Sequence, residues 1–317
     1  MIKTRSPWFW VPTLYFAQGI PYFIVNNISV MMFTKMGVPN GDMALFTSLL
    51  YLPWFIKPFW SPFVDIIKTK RWWTISMQIL MSIAFILLTL TIPTPSAEML
   101  ASQSTPISMF TVTLLLFTIT AFTSATHDIA ADGFYMLALP QNEQAAFVGI
   151  RSTFYRLASI FGQGILVTIA GAIELSSQDI PFSWRITMLV TAVIFSATTL
   201  YHTFIIPRSD NDRSVLGTEK ASPKAIFREF ARSFTTYFKK PGVVLAITFM
   251  LLYRLPEAFL LKLCMPFLVA SKEMGGLALS TAEVGIVYGT IGVIFLTIGG
   301  ILGGIFASRM GLKKSLW

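Results

Sequence analysis

Ala125-Thr126-His127-Asp128-Ile129-Ala130-Ala131-Asp132-Gly133 closes an apolar run that begins at Ile107. Asp128 and Asp132 stand one helical turn apart, so on a helix they share a face. In water that placement is cheap. At the centre of a bilayer a charge costs roughly 2.5–3.5 kcal/mol on insertion scales, so something must compensate it. The surroundings say lipid. The chain is 54% hydrophobic and 12% charged, with 28 phenylalanines, where soluble domains carry about 25% charged residues. This composition predicts an all-α polytopic membrane protein, because lipid leaves no other way to satisfy the backbone of a spanning segment.

The formal charge of +9 falls between apolar runs, where it reads as a topology signal and not as a nucleic-acid surface. The single cysteine, Cys264, cannot form an intrachain disulfide and implies no oxidising compartment. The basic start, Met1 to Arg5, is followed by an apolar run too long for a signal peptide and broken by Pro12 and Pro21. It reads as a retained first span.

Runs of about 20 apolar residues mark spans. Eight are expected: 8–33, 43–67, 73–92, 107–139, 147–173, 186–206, 243–270 and 282–307. Basic residues alternate with them. Lys3 and Arg5 precede span one, Lys68, Lys70 and Arg71 follow span two, and Arg309, Lys313 and Lys314 follow span eight. The loops 35–42, 93–106, 174–184 and 271–281 hold few. The positive-inside rule therefore predicts a cytoplasmic N-terminus. Residues 1–206 read as a six-helix half. Residues 207–241 read as a cytoplasmic linker, whose Pro223–Lys240 segment has the spacing of an amphipathic interfacial helix. Residues 242–317 read as the first two helices of a second half, the layout of a transporter with parallel repeats.

A weak internal repeat agrees. Span two ends Ser61-Pro62-Phe63-Val64-Asp65-Ile66-Ile67-Lys68, and six spans later comes Gly304 to Lys314 with Arg309, Gly311, Lys313 and Lys314. The second copy resembles the loop motif of the major facilitator superfamily, with Ser308 where an acid usually stands; the first keeps the acid, Asp65. That superfamily normally has twelve spans, so the expectation is a major facilitator fold represented by its first half and the first two helices of its second.

The opening stretch also resembles the fourth-span signature of the AmpG-type muropeptide permeases and the related acetyl-coenzyme A transporters, with His127 where Gln is usual. Leu52-Pro53-Trp54-Phe55-Ile56-Lys57-Pro58-Phe59-Trp60-Ser61-Pro62 resembles their second span, Tyr155-Arg156 their fifth, and Tyr253-Arg254-Leu255-Pro256-Glu257 their seventh. The resemblance implies a proton-coupled importer of anhydro-muropeptides in a bacterial cytoplasmic (inner) membrane. The substrate would be an amino sugar–peptide. Two alternatives stay open: transport of another organic anion such as an acyl-coenzyme A, and a non-transporting sensor or scaffold on the same fold.

Depth arithmetic places the charges. From a span-four exit near Leu139, Asp132 and Asp128 lie ~10 and ~16 Å inside at 1.5 Å per residue. From a span-five entry near Phe147, Arg151 and Arg156 lie ~6 and ~14 Å inside. His127, Asp128, Asp132, Arg151, Arg156 and Asp65 are thus expected to form either a cytoplasmic gate and proton site or a static ion-pair staple. Lys57, ~21 Å down span two between Pro53, Pro58 and Pro62, is a fixed cation for an anionic substrate or half of an ion pair. Arg254 and Glu257 share a face of span seven, and Pro256 between them predicts a broken helix. Glu257 is expected to couple protons or simply to pair with Arg254. Gln18 and Asn26 form a polar seam in span one that lines a cavity or bonds helices together. No phosphate loop, nucleophile elbow or metal-spaced histidine pair is present, so no enzyme activity, cofactor or metal is expected.

Overall fold

The protein is described by a computed structural model over residues 6–212 and 238–296, with a few single positions besides. Most of the expected Pro223–Lys240 helix and the Gly304–Lys314 motif lie outside the described residues. Among those described, regular structure is entirely helical. Five helices are long and apolar enough to cross a membrane: Lys70–Thr91, Ile107–Ala138, Gly149–Ser177, Ile180–Ile205 and Val243–Val269. They correspond to spans three to seven.

Span one runs over residues 11–35. It is an α-helix to Phe23, a π-helical turn over Ile24–Ile28, and α-helix again over Ser29–Lys35. Span five has the same construction, Gln141–Ser159, a π turn at Ile160–Leu166, then Val167–Ser177. Span eight opens with Thr281–Val284 and continues as a π-helix over Gly285–Gly292. Such turns insert a residue into the ladder and occur often at functional positions.

Span two breaks where its prolines fall. Asn40–Leu49, Leu52–Ile56, a 3-10 turn at Lys57–Phe59 and Ser61–Ile66 follow in series. Pro53, Pro58 and Pro62 each stand at the start of a new piece, where a missing N–H costs nothing because the first turn has no partner for it. Pro256 behaves differently. Val243–Val269 is one continuous helix with Pro256 and Pro266 inside it, so the expected break in span seven is corrected. A proline that removes one rung does not end a long helix whose flanking rungs remain.

Lipid is as apolar as the helix faces, so packing shape and polar contacts decide which faces meet. Large apolar side chains such as Leu90, Leu115, Val193 and Phe204 point outward. Inside, Phe33 meets Phe110 at 5.1 Å and Phe85 meets Phe195 at 5.3 Å, joining span one to span four and span three to span six. A second cluster, with Trp10, Leu14, Tyr15, Phe134 and Tyr135, fills the end of the bundle that carries the N-terminus. Span three starts on a doubled cap. The Thr69 hydroxyl accepts from Trp72 N at 3.1 Å, and the Asp212 carboxylate accepts from Lys70 N at 2.6 Å and Arg71 N at 2.9 Å. Residues 207–212, just past span six, are thereby pinned to the start of span three.

Candidate functional site

The proline breaks in span two turn Lys57 toward span four. Its Nζ stands 3.7 Å from Asp128 Oδ2, with the lysine side chain 37% and the aspartate 13% exposed. That distance is an ion pair without a good hydrogen bond, since N–H···O bonds centre near 2.9–3.0 Å. Gln18 of span one and the Trp54 indole face the same carboxylate. Gln18 is buried. Above the pair the walls are aromatic. Tyr22 packs on Trp54 at 5.3 Å, on Tyr51 at 6.2 Å and on Tyr155 at 6.2 Å between ring centroids. Edge and tilted contacts of this kind are the arrangements aromatic pairs prefer. Arg254 of span seven lies within electrostatic reach of Tyr22 and pairs with Glu257 one turn along. Both Arg254 and Glu257 are otherwise exposed. Asn26 is buried in the π turn of span one and donates from Nδ2 to Tyr22 O at 3.1 Å.

Asp132, one turn beyond Asp128, joins a different group. Its Oδ1 accepts from Arg151 Nη2 at 2.5 Å and from the Tyr15 hydroxyl at 2.8 Å. The Arg151 guanidinium lies between two rings, 4.2 Å from the Tyr15 centroid and 4.3 Å from that of Tyr135. Tyr135 in turn donates to the Gln144 carbonyl. The grouping of both aspartates with the arginines is therefore resolved into two: Asp132 meets Arg151, and Asp128 meets Lys57. Arg156 lies half-buried further along span five. The Asp65 side chain lies outside the described residues.

His127 points away from Asp128, into the interior of the first six helices. It is fully buried, and its Nε2 stands 2.9 Å from Gln78 Nε2. Gln78 Oε1 is 3.0 Å from His202 Nδ1, and His202 Nε2 is 3.0 Å from the Thr13 hydroxyl. With the amide nitrogen donating, His127 Nε2 must be the acceptor, and His202 donates from Nδ1 to the amide oxygen. The chain of contacts joins spans one, three, four and six. Among the described residues no three His, Cys, Asp or Glu side chains gather to hold a metal ion.

Several of these residues carried no warning in the sequence. Tyr51 and Trp54 sit in a chain that is 14% aromatic, so two more rings do not stand out. Gln78 is the one amide in the run from Trp73 to Ile92; a lone amide in an apolar span is a signal of interhelical bonding.

A family model for the Major Facilitator Superfamily matches residues 13–317. Putative transporter AmpG 4 of Rickettsia conorii is 27% identical over 312 residues, covering 94% of this chain and 67% of that protein. The anhydromuropeptide permease of Escherichia coli K12 is 24% identical over 309 residues, covering 95% of this chain and 55% of that protein. A crystal structure of a bacterial homolog to the human lysosomal transporter Spinster, inward-facing and occupied, superposes with a TM-score of 0.52 at 17% identity, over 96% of this chain and 60% of that one. That likeness is one of fold alone. The chain thus spans 55% to 67% of the length of these relatives.

Proposed function

The chain belongs to the Major Facilitator Superfamily, and from that premise we propose that it imports amino sugar–peptides of the anhydro-muropeptide class, coupled to protons, across a bacterial cytoplasmic membrane. The observation that carries the reading is the loose Lys57–Asp128 pair together with the packed rings of Tyr22, Tyr51, Trp54 and Tyr155, which we take as the floor and walls of the substrate recess. Each part matches a part of such a substrate. Ring faces take the apolar face of a pyranose, as aromatic-lined pockets with a few placed polar groups do. Lys57 offers a cation to a peptide or lactyl carboxylate, and Gln18 offers an amide to the acetamido group. The relatives named AmpG and anhydromuropeptide permease support the class of substrate.

The coupling follows from the 3.7 Å separation. A substrate carboxylate that docks on Lys57 replaces Asp128 as its counter-ion. Asp128, released from its cation, is then the proton-carrying carboxylate, and it returns to Lys57 when substrate leaves. Arg254 on span seven closes the recess from the second half as the halves rock about the site. Asp132 and Arg151 form a gate on the side of the N-terminus, which the alternation of basic loops puts in the cytoplasm.

Uptake of labelled anhydro-muropeptide into proteoliposomes under an imposed pH gradient tests this. Wild-type protein takes up the label, and Lys57→Gln and Asp128→Asn each lose at least about tenfold, the loss expected for one charge-assisted contact of about 1.5 kcal/mol. Competition by acetyl-coenzyme A in place of the muropeptide would move the reading to a phosphate-bearing anion. Uptake of neither compound would remove it.

A further inference from the structure

Among the described residues, the two sets of helices meet closely along spans five and eight, toward the end of the bundle opposite the N-terminus. There Glu174, in the last turn of span five, bridges two helices from different sets. Its Oε1 accepts from Lys35 Nζ at 3.0 Å, and its Oε2 accepts from the Thr281 hydroxyl at 2.6 Å. Lys35 ends span one and Thr281 begins span eight. Lys35 and Glu174 are only 20% and 21% exposed, and Thr281 is buried.

Glu174 is an odd choice for its own helix. A carboxylate in a last turn opposes the helix dipole. Lys35 at the end of span one, by contrast, sits well. The arrangement makes sense only across helices, where Glu174 meets a cation and the first turn of span eight.

Below this triad the backbones touch. A Cβ on Gly289 would lie 1.9 Å from Gln163 O, and one on Gly171 would lie 2.3 Å from Ala282 N. At Gly171 and Gly289 spans five and eight approach too closely to admit even a methyl group. The middle of span seven, residues 248–261, is exposed, and its buried residues are Val243 at one end and Met265 and Pro266 at the other.

We propose that Lys35–Glu174–Thr281 is the latch that holds this end shut, and that breaking it is the step that opens the pathway there. This rests on the transport reading, in which that end faces the periplasm. Lys35 and Glu174 belong to the first six helices and Thr281 to the second set. The ion pair therefore orients Glu174, and the hydroxyl bond is what crosses the divide.

The test is a distance measurement in lipid by pulsed electron resonance. Spin labels go on Asn40→Cys and Glu273→Cys, both exposed at this end, in a Cys264→Ser background. Unmodified latch residues give mainly a short distance. Glu174→Gln and Lys35→Met raise the longer-distance population about tenfold, as expected for losing about 1.4 kcal/mol from a half-buried charge-assisted contact. The exchanged pair, Lys35→Glu with Glu174→Lys, restores the short distance, since a lysine at 174 can donate to the Thr281 hydroxyl oxygen with the direction of the bond reversed. Distributions unchanged in the single variants, or an exchanged pair as open as they are, would overturn the latch. If the charge variants fail to assemble, Thr281→Val decides. It removes one hydroxyl at constant shape; opening supports the latch, and a wild-type distribution sinks it. Failure of the latch and failure of the substrate reading are separable. Distances that respond in a protein that takes up no muropeptide leave the latch standing, and intact uptake with unresponsive distances leaves only the substrate reading.

Discussion

Replacing Arg151 by lysine keeps its charge and removes its plane. In the structure the guanidinium lies 4.2 and 4.3 Å from the Tyr15 and Tyr135 centroids and 2.5 Å from Asp132. Two cation–π contacts at a partly exposed site contribute about 0.5–1 kcal/mol each. The ion pair is 27% and 41% exposed on its two sides, so screening holds it to about 1 kcal/mol or less. The sum is about 1–3 kcal/mol for Arg151→Ala. A lysine ammonium can still reach Asp132 but cannot lie flat between two rings. Arg151→Lys should therefore lose about half of that total. The assay is unfolding of the purified protein in mixed micelles, followed by circular dichroism against denaturant. A cycle with Tyr135→Leu isolates the stacking, because Tyr135 faces the guanidinium without bonding to Asp132. Coupling of about 0.5–1 kcal/mol between positions 151 and 135 is expected. Arg151→Lys indistinguishable from wild type, with no coupling to position 135, would refute the argument that stacking holds this arginine.

Three further outcomes follow from contacts elsewhere. Asp212→Ala leaves two N–H groups at the start of span three without their acceptor, and should cost about 1–2 kcal/mol in the same unfolding assay, with Asp212→Asn recovering part of it. Gly289→Ala drives a methyl into the Gln163 carbonyl and should abolish stable assembly, read as loss of a monodisperse peak on size exclusion. Gly41→Ala, with nothing within 4 Å, should behave as wild type. Gln78→Leu strands His127 and His202 in an apolar interior, and each stranded polar group costs about 1–3 kcal/mol; unfolding at wild-type denaturant would show that the chain His127–Gln78–His202–Thr13 bears no load.

Much of the fold is legible in the sequence because lipid imposes a simple rule on it. Long apolar runs become helices, and spans three to seven fall where the runs fall. Pro53, Pro58 and Pro62 announce the broken span two, since each needs the start of a helical piece. Pro256 carries the same letter and does not break its helix. Pro256 and Pro266, ten residues apart in a long apolar stretch, are outvoted, whereas three within ten residues are not. The depth of Asp128, Asp132 and Arg151 could be counted from sequence, but the rotation of each helix could not. Rotation decides that Asp128 turns to Lys57 while His127, its neighbour, turns to Gln78. Counting also fails at the π turns. No residue type demands them, and each shifts every later side chain around its helix. Tyr51 and Trp54 were hidden by the abundance of aromatic residues around them.

The π turns of spans one and five have a consequence for how two tasks share a helix. An added residue advances the angular phase of everything after it by about 100°. Before its π turn span one presents Gln18 to the recess, and after it presents Lys35 to Glu174. Span five likewise presents Tyr155 before its turn and Glu174 after it. Each helix is thus two cylinders joined end to end, with azimuths that differ by the offset the turn sets. Deleting Asn27 would keep a continuous hydrogen-bonded rod but fix both azimuths to one value. The recess and the far end of the bundle could then no longer both find their partners, although every residue that touches either would still be present.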